Sequence, residues 1–322
     1  MKKFFALFFV LLCFLLSLSA CSSIQSVQNY NKEMKRIAFI SPQTDYPVWL
    51  QAKVGFLSAA EDFGFYGMWL GGGNCNIEDM LREIDIAISE NVDAVITCPL
   101  TPGKFTKIFE KLKEHEIPLV TIAVDAASED LRTAYVGSNY EDIGRRQAEA
   151  LHAQVGDDMT IGVIMSGLTT QNQVIQTAQL QELVETLPHA DIVSYEEDWA
   201  DPVVGMHVFS KMLNSHPDIN AVFVTSGGAI GNYGKILQQK GLTDEVTLIG
   251  MDISQENLDA VAAGTIYGVM SQDYYSMGYL GGRYAFDASL GKTVPNVTYT
   301  ESELITMDNL DSVTVVDVAE AS

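Results

Sequence analysis

Aromatic rings and single polar side chains gather in a few short segments of this chain, and those segments are where its chemistry would lie. They are Pro42-Gln43-Thr44-Asp45-Tyr46-Pro47-Val48-Trp49, Glu196-Glu197-Asp198-Trp199, Met251-Asp252 and Gln272-Asp273. Aromatic faces offer apolar area with few rotamers to freeze, while carboxylates and amides fix hydroxyl or amino groups through directed hydrogen bonds. That combination suits a polar, ring-bearing small molecule held without reaction. Catalysis has less support. Ser226-Gly227-Gly228 lacks the G-x-S-x-G elbow and a histidine placed as base. Gly71-Gly72-Gly73 leads into no phosphate-loop pattern and reads as a turn. The pairs Glu196-Glu197 and Asp157-Asp158 read as solvated faces. His115, His152, His189, His207 and His216 are scattered, with no HExxH pair, so neither a metal nor a cofactor is expected.

Stepping along the chain, short β-branched runs alternate with longer amphipathic stretches. Strands are expected at 36–41, 65–70, 93–98 and 117–124, with helices at 48–63, 77–89 and 105–115. The pattern then restarts, with helices at 141–155, 174–187, 204–214 and 230–239 and strands at 160–165, 191–195, 221–225 and 246–250. Strands that are apolar throughout and alternate with helices imply parallel sheets covered on both faces. Two such series imply an α/β protein of two doubly wound parallel-sheet lobes. In that architecture ligands sit beyond the carboxyl ends of the strands, where the aromatic and polar segments fall.

The beginning of the chain sets a location. Lys2 and Lys3 precede an apolar run over 4–16, and Leu18-Ser19-Ala20-Cys21 closes it. This resembles the lipobox of bacterial lipoproteins, which implies cleavage before Cys21 and a lipid on its sulfur. A transmembrane anchor is the competing reading, but the run is short of the roughly 20 residues a span requires. Residues 1–20 are therefore read as signal peptide and 21–35 as a polar tether. The expected location is the outer face of a membrane, or the periplasm, with the body held there by lipid. With 42 acidic against 19 basic residues the formal charge is −23, which disfavours nucleic acid and anionic headgroups as partners. Cys75 and Cys98 match no zinc spacing; they could bridge, or remain free buried thiols, which is the reading favoured.

From about residue 36 to 306 the chain resembles the ribose-binding type of periplasmic sugar-binding proteins. The resemblance rests on motifs in order: Asn91-Val92-Asp93-Ala94-Val95-Ile96 ending at Pro99, Ile117-Pro118-Leu119-Val120-Thr121 leading to Asp125, and Tyr135-Val136-Gly137-Ser138-Asn139 with Gly144. His216-Pro217-Asp218-Ile219-Asn220-Ala221-Val222-Phe223, Leu248-Ile249-Gly250-Met251-Asp252 and Gln272 continue it. The family implies two lobes joined by three crossings and closing on a ligand. It also implies delivery to an ATP-driven (ABC) permease, or, as the alternative, presentation to a membrane histidine kinase or chemoreceptor. The lobes are bounded as 36–138 plus 273–292 and 139–272 plus 293–310, with crossings near 137–138, 272–273 and 292–293 and an acidic tail at 311–322. A monomer is expected.

Carried onto this sequence, the resemblance implies that Tyr46 and Trp49 stack on the ligand from the first lobe and Trp199 from the second. It places Asp125 after the fourth strand, Asp252 after the last strand of the second lobe, and Gln272 near a crossing. The chain departs from the family where Ala123 replaces an acid, Gln176 an arginine and Ser226-Gly227 an Asn-Asp pair. Several charge-assisted hydrogen bonds, each about 1.5–3 kcal/mol, are thereby missing. Gln171, Asn172 and Gln176 are the neutral substitutes on offer, and Gln176 and Ser226 join the candidate ligand contacts.

Overall fold

Apolar runs become strands and the amphipathic stretches between them become helices. The computed structural model describes residues 33–318. It begins with β1 (Arg36–Ser41), α1 (Pro47–Phe63), β2 (Tyr66–Gly71), α2 (Ile77–Ser89), β3 (Ala94–Thr97), α3 (Pro102–Glu114), β4 (Leu119–Ile122) and β5 (Ala134–Gly137). There follow α4 (Tyr140–Val155), β6 (Thr160–Met165), α5 (Gln171–Val184), β7 (Asp191–Glu197), α6 (Pro202–Ser215), β8 (Ala221–Val224), α7 (Ile230–Lys240) and β9 (Thr247–Met251). The chain ends with α8 (Gln255–Ala262), β10 (Gly268–Met270), α9 (Tyr274–Ser289), β11 (Val297–Tyr299) and β12 (Leu304–Thr306).

Local chemistry sets the boundaries. Pro47 opens α1, where its missing N–H costs nothing, and Gly64 closes it in the left-handed region at φ 74°. Asn76 caps α2 by accepting from the N–H groups of Glu78 and Asp79. The first sheet has the order β11-β5-β4-β3-β1-β2 and the second β12-β10-β9-β8-β6-β7. Strand directions are parallel throughout the first sheet. The second departs from the all-parallel expectation at one edge, because β12 runs antiparallel to β10.

Each sheet is covered on both faces, and its strands alternate between two cores. Along β1, Ile37 and Phe39 join a core with Phe56 and Met277, while Ala38 and Ile40 join another with Ile84, Phe105 and Phe109. Along β8, Val222 and Val224 face Phe209 and Tyr233, while Ala221 and Phe223 face Leu151 and Leu180. In the first lobe α1 and α9 touch almost backbone to backbone. A Cβ on Gly278 would lie 2.0 Å from the Ala52 carbonyl oxygen, and one on Gly55 would lie 2.0 Å from that of Tyr275. Only glycine permits that approach.

The chain crosses between the sheets three times. It leaves the first sheet after β5, returns after β10, and leaves again after β11. The first two crossings fall at 138–139 and 271–273, close to the positions read from sequence. The third corrects the expectation of 292–293. Val297–Tyr299 still pairs with β5 in the first sheet and Leu304–Thr306 with β10 in the second, so the crossing lies at 300–303. A strand of three residues carries no readable periodicity, so the sequence boundary settled on the end of the preceding helix. The signal peptide, Cys21 and most of the tether lie outside the described residues, as does the tail beyond 318. Among the described residues no helix is long and apolar enough to cross a membrane.

Candidate functional site

Loops from the carboxyl ends of both sheets enclose a cavity of about 430 Å³ between the lobes. Gln43, Tyr46 and Trp49 reach it after β1, Cys98 and Thr101 after β3, and Ala123 after β4. From the second lobe come Ser166 after β6, Trp199 after β7, Ser226 after β8 and Asp252 after β9. Gln272 enters from the second crossing. The volume falls in the range of roughly 300–1,000 Å³ that small-molecule sites occupy.

Tyr46 occupies the N-cap position of α1 and Trp49 its first turn. The Tyr46 hydroxyl extends across the cleft to within 3.1 Å of where a Cβ on Gly228 would stand. Burial raises its pKa far above the usual phenol value, and the Asp252 and Asp198 carboxylates add to the effect. Trp49 has two roles. It is 6% exposed and belongs to the first-lobe core, edge-on to Tyr274 at 5.3 Å, yet its remaining surface lines the cavity. Trp199 is 65% exposed and stands on the opposite wall.

A strained turn presents Trp199. Trp199 and Ala200 have φ of 57° and 54°, in the left-handed region that costs ordinary residues about 1–3 kcal/mol each. Asp198, 1% exposed, holds the turn. It accepts from Ala200 N–H at 3.0 Å, from the Ser226 hydroxyl at 2.5 Å and from the Tyr233 hydroxyl at 3.0 Å. Desolvation nevertheless raises its pKa. Ala123 and Asp252 also have positive φ, so four of the six such non-glycine residues described line this cavity. Strain of this kind gathers where a site is over-determined by its surroundings.

Asp252 is 8% exposed. One carboxylate oxygen, Oδ1, accepts from Gln272 Nε2 at 2.7 Å. Gln272 Oε1 in turn accepts from the Tyr140 hydroxyl at 2.8 Å, so the crossing and the carboxylate form one network. Burial pushes the Asp252 carboxyl up to about 6, with the Gln272 hydrogen bond opposing that rise. Gly227 is required beside it: a Cβ there would lie 2.3 Å from Asp252 Oδ2.

Two sequence-derived contacts are corrected. Asp125 does not line this cavity; it borders a smaller one of about 230 Å³, together with Gln171. Its carboxylate is held bidentate by Arg132, Nε at 2.7 Å and Nη2 at 2.8 Å, and accepts from Thr121 Oγ1 at 2.8 Å. The Arg132 side chain is fully buried, so Asp125 compensates an interior charge instead of facing a ligand. Gln176 also misses the cavity. It is fully buried against Gly144 of α4, and neither amide atom has a hydrogen-bond partner.

Other lining residues were not singled out from sequence. Gln173 anchors the loop after β6, its Oε1 accepting from Ser166 N–H at 2.8 Å. Lys104, in the first turn of α3, is exposed at the rim. Their only sequence signal is position after a strand end. Cys75 and Cys98 both border the cavity as free thiols. Cys98 is buried as expected, but Cys75 is exposed, because it follows the glycine turn at the mouth of the cleft. Desolvation raises both thiols, Cys75 to about 11, so they remain protonated near neutrality. Among the described residues no cluster of three metal-ligating side chains occurs.

Residues 37–293 match a family model described as periplasmic binding protein domain. A Rhizobium meliloti protein named for rhizopine binding is 26% identical over 258 residues, covering 76% of this chain and 84% of that protein. The crystal structure of GanP, a glucose-galactose binding protein from Geobacillus stearothermophilus, superposes with a TM-score of 0.82 at 28% identity, covering 86% of this chain and 99% of GanP. A solved XylFII-LytSN complex contains a chain that matches with a TM-score of 0.80 at 25% identity, covering 85% of this chain and 98% of that one.

Proposed function

Since the chain belongs to the periplasmic binding protein family, we propose that it captures a sugar or sugar-like polar molecule between its lobes and presents it to an ABC permease. Membership of this family implies an extracytoplasmic location, and the Leu18-Ser19-Ala20-Cys21 sequence supports a lipid anchor there. One observation carries the reading. The cavity is built from strand-end loops of both sheets, so a guest contacts both lobes at once. Contacts that need both lobes exist only when these are together, and binding therefore shifts the population toward the closed form. Trp49 and Trp199, on opposite walls, form the clamp around a ring, while Ser226, Asp252 and Gln272 take its polar groups. The bound molecule is released unchanged, and the closed form acts as a monomer that its partner reads. The XylFII-LytSN complex supports a second reading, in which that partner is a sensor.

The test is a thermal-shift screen of the purified protein against sugars, polyols, amino acids and nucleosides, with tryptophan emission recorded alongside. A ligand at 100-fold its dissociation constant adds about 2.7 kcal/mol to stability. Trp49→Ala and Trp199→Ala should each remove the emission response. Normal binding by both variants would overturn the clamp, and an unshifted melt with every sugar and polyol would overturn the ligand class.

A further inference from the structure

The cavity is short of positive charge. Its lining carboxylates are Glu197 and Asp252, and its one lining cation, Lys104, is exposed at the rim. Asp252 is the buried one, and it has no cationic partner among the described residues. Gln272 occupies its Oδ1, while Oδ2 accepts no hydrogen bond from the protein. Asn172, on the same lining, buries an Oδ1 that likewise lacks a donor. The ionisable groups facing Asp252 from neighbouring elements are Tyr46 at the start of α1, Tyr140 from α4 and Tyr274 from α9; none is positive. Aromatic rings and an unpaired interior carboxylate together make a receptor for a cation.

We propose that the ligand carries a protonated amino group, as an aminated sugar or polyol does, and that its ammonium is seated on Asp252 Oδ2 between the rings of Tyr46 and Trp199. The inference rests on the proposed function and names the chemistry of its guest. Hydroxyl groups alone would satisfy the vacant acceptors but leave the buried charge uncompensated. An ammonium supplies the donors and the charge together, and its electrostatic attraction to the aromatic faces adds to the pair. The ring of the same molecule then fills the space toward Trp49.

The experiment is isothermal titration of the purified protein at pH 7.5 with D-glucosamine and D-galactosamine, each beside its neutral parent hexose and its N-acetylated form. The amine should bind at least about tenfold tighter than both counterparts, in line with a charge-assisted contact. Asp252→Asn, checked for an intact thermal transition, should reduce that preference to about twofold or less. If neutral hexoses bind as tightly as their amines, or the preference survives Asp252→Asn, the amine inference fails while sugar capture stands. If none of these compounds binds, the amine inference fails, and sugar capture is decided by the wider thermal-shift screen.

Discussion

In the empty protein the Asp252 carboxylate should cost stability above pH 6, and replacing it with its neutral isostere should recover that cost. Burial raises the carboxyl from 3.8 to about 6, and no cation opposes the rise. A folded state that holds a proton more tightly than the unfolded chain loses stability as pH climbs from the unfolded pKa through the folded one. The shift corresponds to about 3 kcal/mol, incurred between pH 4 and 7. Asp252→Asn keeps an oxygen for Gln272 and carries no charge. The variant should match wild type near pH 4 and exceed it by up to about 3 kcal/mol at pH 8. Urea unfolding with linear extrapolation, at unit steps from pH 4 to 8 and without ligand, measures both curves. A gap between variant and wild type that does not change with pH would refute the reasoning, as would a wild type that is the more stable at pH 8.

Two further outcomes follow from buried polar groups. Asp125→Ala leaves the interior guanidinium of Arg132 without its carboxylate, and chemical denaturation should show a loss of about 3–5 kcal/mol. Because Asp125 does not line the larger cavity, ligand affinity in titration should change by no more than about twofold. Gln176→Met removes two unpartnered amide atoms at similar volume. It should raise stability by about 1 kcal/mol in the same unfolding assay, and a loss there would show that the amide has a partner in solution.

The parts of this fold that were legible in sequence are those where one physical demand dominates. β1, β6 and β8 are buried on both faces, so they read as unbroken apolar runs and their positions emerge to within a residue or two. β11 and β12 have three residues each and identities set by pairing, so nothing in their composition distinguishes them from loop. The site divides in the same way. Tyr46, Trp49, Trp199, Ser226, Asp252 and Gln272 follow strand ends or a crossing, and all six line the larger cavity. Asp125 also follows a strand end, but its direction is decided by Arg132, seven residues on, whose burial no local pattern reveals. Gln176 stands where a charged grip was expected, and α5 buries it against α4 instead.

The late return of the chain to its first sheet has a consequence for biosynthesis. β11 pairs with a strand more than a hundred residues upstream, and α9, which lies against α1, is made only shortly before it. The N-terminal lobe therefore cannot cover that face or complete its sheet until α9 and β11 have been made. An emerging chain exposes an incomplete edge until then. For a protein whose family works outside the cytoplasm, that delay keeps the N-terminal lobe short of its native structure while the whole second lobe is being made.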